Sequence, residues 1–178
     1  MSKTDRYLKR YGLKAEKIKK VDLTKIYYQY RPDVNCDRIL TNSPHFEFAQ
    51  QYYSKGLKWL NENFQNTKYS TFQKDVLKIT PYIPRRKIYL FDSLKDGYLR
   101  KGYENDYIVI LNKPFVCTRY EVNLLLPSPE VFIGHHRAGA LLALGVKKAN
   151  VIVAIDDEPG KCRCYGKLHD IYKRLKIK

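Results

Sequence analysis

The stretch that most constrains the fold of this chain is Gly-His-His-Arg-Ala-Gly-Ala-Leu-Leu-Ala-Leu-Gly at positions 134–145. It follows a strand-length apolar segment, Glu-Val-Phe-Ile, and its own apolar residues predict a short helix that ends at Gly145. The first-turn N–H groups of a helix have no partner within the helix, and the helix dipole favours negative charge beside them. Gly134 lets a ligand approach the backbone, and Arg137 can hold phosphate oxygens in a bidentate fork. We therefore predict a strand, turn and helix that bind phosphate.

The net charge of the chain points toward anionic partners as well. Thirty-four Lys and Arg against 18 Asp and Glu give a formal net charge of +16 over 178 residues. Such an excess attracts nucleic acid, anionic lipid or phosphorylated metabolites, and it also serves plain solubility. The lysines are spread along the sequence, which favours a general positive field over base-specific reading. The 16 tyrosines can stack on bases, but we assign most of them to strands and core.

Several protein classes are excluded by what the sequence lacks. No apolar run approaches the roughly 20 residues that span a bilayer, and no signal-peptide pattern is present, so we expect a cytoplasmic protein. The cysteines at 36, 117, 162 and 164 are too few and too unevenly spaced for a disulfide framework. Cys162 and Cys164 are separated by one residue instead of the two to four of a zinc knuckle, even with His169 nearby. We expect reduced thiols and no metal site.

Local patterns in the first half of the chain predict mostly helices. The clearest is Ser43-Pro44, an N-cap followed by a proline at the first helical position, which predicts a helix that Gly56 ends. In chain order, the predicted elements are a basic helical lead-in over 1–20 that breaks at Gly12, a first strand over 21–28, helices over 45–55 and 57–64, a helix around 71–77, a connection framed by Pro81 and Pro84, a strand or helix start over 87–90, and a helix over 92–95 closed by Asp96-Gly97.

Strands and helices alternate in the second half. The predicted elements are strands over 107–111, 119–125 and 131–133, a helix over 137–144, a strand over 150–155 and a basic helix over 168–175. This order predicts the α+β class, with a small mixed sheet, flanking helices and a helical insertion in a single domain over 1–178.

In the order of their predicted elements, residues 88–156 resemble the ParB/sulfiredoxin-like domain superfamily. The strand at 21–28 resembles the first strand of these domains, so that 30–87 becomes an insertion without a family counterpart and 161–178 a basic C-terminal segment. The features that carry the resemblance are a Ser-Leu-Lys-Asp-Gly helix end at 93–97, the Ile-Val-Ile strand at 108–110, the strand at 119–125, the Gly-His-His-Arg turn at 134–137, the helix at 138–144 closed by Gly145, and the strand at 151–155.

The resemblance implies nucleotide binding, with Gly134, His135, His136 and Arg137 at the phosphates. The superfamily includes partition proteins that bind CTP, sulfiredoxins that use ATP, nucleases, and free-serine kinases that use ATP or ADP. It therefore implies ATP, ADP or CTP as the ligand, with Mg²⁺. The chain lacks the Glu-Arg-Arg turn of partition proteins and the turn cysteine of sulfiredoxins. The kinase-like and nuclease-like branches fit better, although members of both usually carry an acidic residue where Ile133 stands.

The first functional hypothesis is a nucleotide-dependent kinase that acts on a small hydroxyl-bearing substrate. Phosphoryl transfer needs a carboxylate to orient or deprotonate the acceptor, and Glu47 and Asp96 are the candidates. His135 is a further catalytic candidate, and Arg119 is a candidate for binding an acidic substrate. The plainer alternatives are an exposed helix carboxylate for Glu47, a surface arginine for Arg119 and backbone hydrogen bonds for the paired histidines.

Two other functions stay open. In a DNA-binding protein or nuclease, His135 or His136 acts on a scissile phosphate, but the sequence shows neither a carboxylate cluster for two metals nor a recognition helix. In a non-catalytic nucleotide sensor, the turn binds nucleotide and the basic surface binds a partner.

Overall fold

A five-stranded mixed sheet with helices on both faces forms the centre of the molecule. The computed structural model describes residues 3–10, 13–28, 39–97, 107–111 and 129–156. The strands are β1 (Leu13–Asp22), β2 (Tyr27–Tyr28), β3 (Ile108–Leu111), β4 (Glu130–Ile133) and β5 (Lys148–Asp156). The helices are α1 (Lys3–Arg10), α2 (Pro44–Asn63), α3 (Lys68–Thr71), α4 (Arg85–Lys95) and α5 (His135–Ala143). The predicted α+β class is confirmed.

The strands lie in the order β1-β5-β3-β4-β2. β3 runs parallel to β5 and β2 runs parallel to β4, whereas β1 and β4 are antiparallel to their neighbours β5 and β3. Helix α5 connects β4 to β5. These two strands lie on opposite sides of β3, so the connection passes over β3. The start of α5 lies beside β3, the central strand of the sheet.

Alternation along the strands sends side chains to two faces. Ile108, Ile110, Val151 and Val153 pack with residues of α5, a side we call the α5 face. Residues between them, such as Val109 and Ile152, pack with Leu8 of α1 on the opposite side, the α1 face. Because β3 and the middle of β5 are buried on both faces, the sequences at 108–111 and 151–154 are continuously apolar instead of alternating.

Helices α2, α3 and α4 form a further layer behind α5. Their apolar cluster includes the fully buried Phe48 and Phe91 and reaches Ala140 of α5. Residues 30–87, expected as an insertion, thus contribute through their described part to the main body of the fold. None of the helices in the described ranges is long and apolar enough to cross a membrane.

Several local predictions are confirmed. The Ser43 hydroxyl caps α2 by accepting a hydrogen bond from the Phe46 N–H at 3.1 Å, and Pro44 is the first helical residue. Gly56, at φ 79°, interrupts the helical path, so that 57–63 form a second helical stretch. The strands predicted around 108, 131 and 151 and the helix ahead of Gly145 are present, with ends shifted by a few residues.

The N-terminal predictions need correction. Residues 13–20, expected as part of a helical lead-in, form most of β1, because pairing with β5 outweighs the local preference of a lysine-rich sequence. The expected strand at 21–28 is divided, since Asp22 caps a 3-10 turn at Leu23–Lys25 by accepting from the Thr24 N–H at 3.0 Å. For residues 87–90, where a strand or a helix start was expected, the helix alternative is confirmed, since they belong to α4.

Three further elements differ in detail or cannot be compared. The helix expected around 71–77 begins earlier, as α3, and continues as a π-helical turn at Phe72–Val76. The predicted strand at 119–125 and helix at 168–175 lie outside the described residues, as do Arg119, His169 and the four cysteines.

Candidate functional site: the start of helix α5

A glycine in the left-handed region joins β4 to α5. Gly134 has φ 96° and ψ 24°, and a Cβ there would stand 3.2 Å from the Cα atom of Ile108. Among the described residues no side chain caps the helix, and the first helical hydrogen bond runs from the Ala138 N–H to the Gly134 carbonyl at 2.8 Å. Because first-turn N–H groups find no acceptor within a helix, this turn directs backbone donors and the positive end of the dipole outward.

The two histidines that follow Gly134 contact protein side chains. His135 is buried, is hydrogen-bonded to the backbone of Val131, and has its ring centroid 5.2 Å from that of His45. The His136 Nε2 atom lies 2.7 Å from the Tyr69 hydroxyl oxygen, and its ring meets that of His45 edge-on at 4.5 Å. Three of the four histidines thus share one contact region with Tyr69. We call His45, His135, His136 and Tyr69 the histidine cluster.

The surroundings of the histidine cluster keep its imidazoles neutral. Burial lowers the pKa of His135 to about 4 from the usual 6.5. Burial also holds the pKa values of His45 and His136 well below 6.5, and the neighbouring histidines and the Lys87 ammonium add to this effect. At neutral pH these rings act as packing and hydrogen-bonding groups instead of cations. The rings contact one another edge-on or tilted, and no set of three His, Cys, Asp or Glu in the described ranges is placed to hold a metal ion.

A close crossing of two helices creates the cluster. At Gly139 of α5, an added Cβ would stand 2.8 Å from the His45 carbonyl carbon and from the Phe46 nitrogen. Only a residue without a side chain allows the backbone of α2 to approach this closely. The crossing brings the first turn of α2, with His45, against the first turns of α5.

Two cationic residues lie near the turn. Arg137 is in the first turn of α5 and is half-buried. Lys87, in the first turn of α4, is close enough for its charge to lower the pKa of both His45 and His136. Together with the helix dipole, these groups make the surroundings of Gly134 favourable for an anion.

The candidate carboxylates are not gathered at the turn. Glu47 lies in the first turn of α2, two residues after His45, and residues two apart project about 200° apart around a helix. Its Oε1 atom accepts hydrogen bonds from Gln51 Nε2 at 2.9 Å and from the Lys68 N–H at 3.4 Å. Asp96 is the exposed C-cap of α4, roughly 13 Å along the helix axis from Lys87.

The structure adds residues that sequence reasoning missed, namely His45, Tyr69 and Lys87. The signal for His45 was present, because the Ser43-Pro44 cap places the next residue in the first turn of a helix. No local pattern indicated that Tyr69 would meet His136, since their contact depends on how α3 packs against α5.

Comparisons of the chain with protein-family models, with curated proteins and with solved structures give no match in any of the three.

Proposed function

We propose that the start of α5 binds the phosphates of ATP, ADP or CTP with Mg²⁺, and that the protein transfers a phosphoryl group to a small hydroxyl-bearing acceptor. The observation that carries the proposal is the left-handed Gly134 at a helix start that no described side chain caps. Backbone N–H groups at such a start coordinate phosphate oxygens without further side chains. Arg137 supplies the fork that holds a phosphate, and Lys87 adds positive charge nearby.

The contacts and the lowered pKa values of the turn histidines make nuclease chemistry the weaker alternative. A histidine that acts on a scissile phosphate needs a ring nitrogen within reach of the substrate and a pKa near the working pH. His136 points Nε2 at the Tyr69 hydroxyl, and the pKa of His135 is lowered to about 4 by burial. In the proposed function these rings therefore position the first turn of α5, and the phosphate contacts come from its backbone and from Arg137.

Glu47 is the carboxylate that the proposal assigns to the acceptor or to Mg²⁺. It belongs to the α2 turn that also carries His45, whereas Asp96 lies at the distant end of α4. The hydrogen bonds that Glu47 accepts from Gln51 and Lys68 favour a second candidate function, a nucleotide sensor without catalysis. An acceptor or metal ion has to replace these contacts before Glu47 can take part in transfer.

Calorimetric titration with Mg-ATP, Mg-ADP and Mg-CTP tests the binding step. We expect saturable binding that Arg137→Ala weakens by about 1.5–3 kcal/mol, the range for a hydrogen bond to a charged group. Arg6→Ala is the matched control, because it removes an exposed arginine from α1 on the opposite face of the sheet. No binding to any of the three nucleotides, or equal affinity of the Arg137 variant and wild type, contradicts the proposal.

A screen of hydroxyl-bearing acceptors for nucleotide turnover then separates the two candidate functions. Transfer that Glu47→Gln reduces while nucleotide affinity is unchanged supports the kinase. Tight nucleotide binding with no turnover for any acceptor supports the sensor.

A further inference from the structure

The edge strand β1 carries a second basic surface, separate from the start of α5. β1 lies at one end of the strand order, and every residue from Lys14 to Lys20 is exposed. Four of these seven residues are lysines and one is acidic, Glu16. Because a strand spaces its side chains regularly, these lysines offer positive charges at fixed intervals to anionic groups.

The register of β1 with β5 places three of the lysines on one face. Lys14, Lys17 and Lys19 stand opposite Ile155, Val153 and Val151. Directly opposed residues of an antiparallel pair project to the same side, and Val151 and Val153 pack with α5. Lys14, Lys17 and Lys19, which we call the lysine row, therefore lie along the edge of the α5 face. Lys20 stands opposite Asn150 and projects to the α1 face.

The spacing and surroundings of the lysine row leave its charge available. Lys17 and Lys19 are two residues apart, about 7 Å along a strand. The irregularity in pairing between Ala15 and Lys17 keeps Lys14 on the same face as the other two. Glu16 approaches Lys17 at 3.8 Å, but both side chains are about half exposed, so their attraction is weak.

We infer that the lysine row binds the sugar–phosphate backbone of a nucleic acid strand. A nucleic acid offers phosphates at regular intervals, and lysines that neutralise them gain affinity by releasing condensed counterions. The row contains only lysines, which position a backbone without reading bases. The net charge of +16 adds a long-range attraction of the same sign.

Lysines on an edge strand can also prevent unwanted pairing between sheets. That role predicts self-association when the lysines are removed, whereas backbone binding predicts loss of nucleic acid affinity. The two effects are measured independently.

Fluorescence anisotropy with a labelled 20-base-pair DNA duplex, a single-stranded DNA and a single-stranded RNA tests the inference. We expect binding of at least one probe, with an affinity that falls steeply as salt rises. At low salt, the triple variant K14Q/K17Q/K19Q should bind at least about tenfold more weakly than wild type. When the logarithm of its affinity is plotted against the logarithm of the salt concentration, the slope should be less steep by about 2–3. The probe that binds most tightly identifies the kind of nucleic acid.

The control variant K58Q/K74Q/K95Q removes the same charge from exposed positions on the helical layer. It should keep most of the affinity and the full salt slope. Equal losses in the two variants, unchanged binding by K14Q/K17Q/K19Q, or self-association of that variant with unchanged nucleic acid affinity overturns the inference. Binding to vesicles of anionic lipid without binding to any nucleic acid probe overturns it as well.

The inference does not depend on the proposed nucleotide site. K14Q/K17Q/K19Q should bind Mg-ATP as wild type does, and Arg137→Ala should retain nucleic acid affinity. Loss of both activities in both variants contradicts the assignment of two separate surfaces.

Discussion

On the α5 face of the sheet, two apolar clusters lie one above the other, whereas on the α1 face the described part of the chain packs one short helix, α1, against the strands. Helix α5 belongs to both clusters of its face, because Ala138 and Leu142 pack with the strands and Ala140 packs with Phe48 and Phe91. An element held from two sides keeps a fixed position. The comparison shows why the proposed phosphate site lies at the start of this helix: its first turn is fixed by the sheet below and by α2 above.

The helical layer and the edge strand β1 differ in the way they carry charge. The α5 face encloses imidazoles that burial keeps neutral, beside a helix start that favours anions. The outer edge, in contrast, presents exposed lysine side chains to water. Ordered polar groups within the helical layer suit a small ligand, and exposed charges at the edge suit a polyanion. Changes made within the helical layer test one half of this comparison.

Among single substitutions, the largest loss of stability is expected from Gly139→Ala. In a helix interior, alanine normally stabilises relative to glycine by about 1 kcal/mol. Here the added methyl group would stand 2.8 Å from backbone atoms of His45 and Phe46, which cannot rotate away. We expect the free energy of unfolding to fall by about 2 kcal/mol, as overpacking does in other cores. Urea unfolding followed by circular dichroism measures this change.

Gly97→Ala is the control for that experiment. Gly97 has φ 71° and nothing within 4 Å of an added Cβ, so its cost is only the backbone strain of about 1 kcal/mol. If Gly139→Ala is as stable as wild type, α2 and α5 do not cross as closely as described, and the comparison of the two faces loses its basis.

A gradual loss of stability, spread over several pH units, is expected from acidification. When the chain is unfolded, its histidines take up protons below about pH 6.5. In the folded protein the pKa of His135 is lowered to about 4, and those of His45 and His136 are well below 6.5. Between these values the unfolded chain holds more protons, so stability is complete above pH 6.5 and declines as the pH falls toward 4. Each histidine contributes about 1.4 kcal/mol per pH unit within its own window.

Urea unfolding at pH 7.5, 6.0 and 5.0, together with an NMR titration of the imidazole signals, checks this pH dependence. Three of the imidazole signals should still have the chemical shifts of neutral rings at pH 5.5. Histidine signals that all titrate near 6.5, with stability unchanged between pH 7.5 and 5.0, show that the cluster is open to water.

What the sequence could and could not predict follows from the range of the interactions involved. The Ser43-Pro44 cap, the break at Gly56 and the turn at Gly134 were predictable, because each depends on the backbone chemistry of adjacent residues. β1 was not, because its many lysines hide the strand pattern and its partner β5 lies at the other end of the described chain.

The candidate site shows the same division. Gly134, His135, His136 and Arg137 are consecutive, so their association needed no knowledge of the fold. The approach of His45 depends on a helix crossing at Gly139, and that of Tyr69 depends on the packing of α3. The inward direction of both turn histidines likewise follows from tertiary packing and not from the motif.

The central claim is that phosphate binds to the backbone at the start of α5, and titration of ¹⁵N-labelled protein with Mg-ATP tests it most directly. We expect saturable shifts that are largest for the backbone N–H signals of residues 135–137, because hydrogen bonds to phosphate form there. The same signals should respond little in Arg137→Ala, apart from the change at the substituted residue. Shifts that are largest at Lys17 and Lys19, or no saturable shift at 135–137, would contradict the claim.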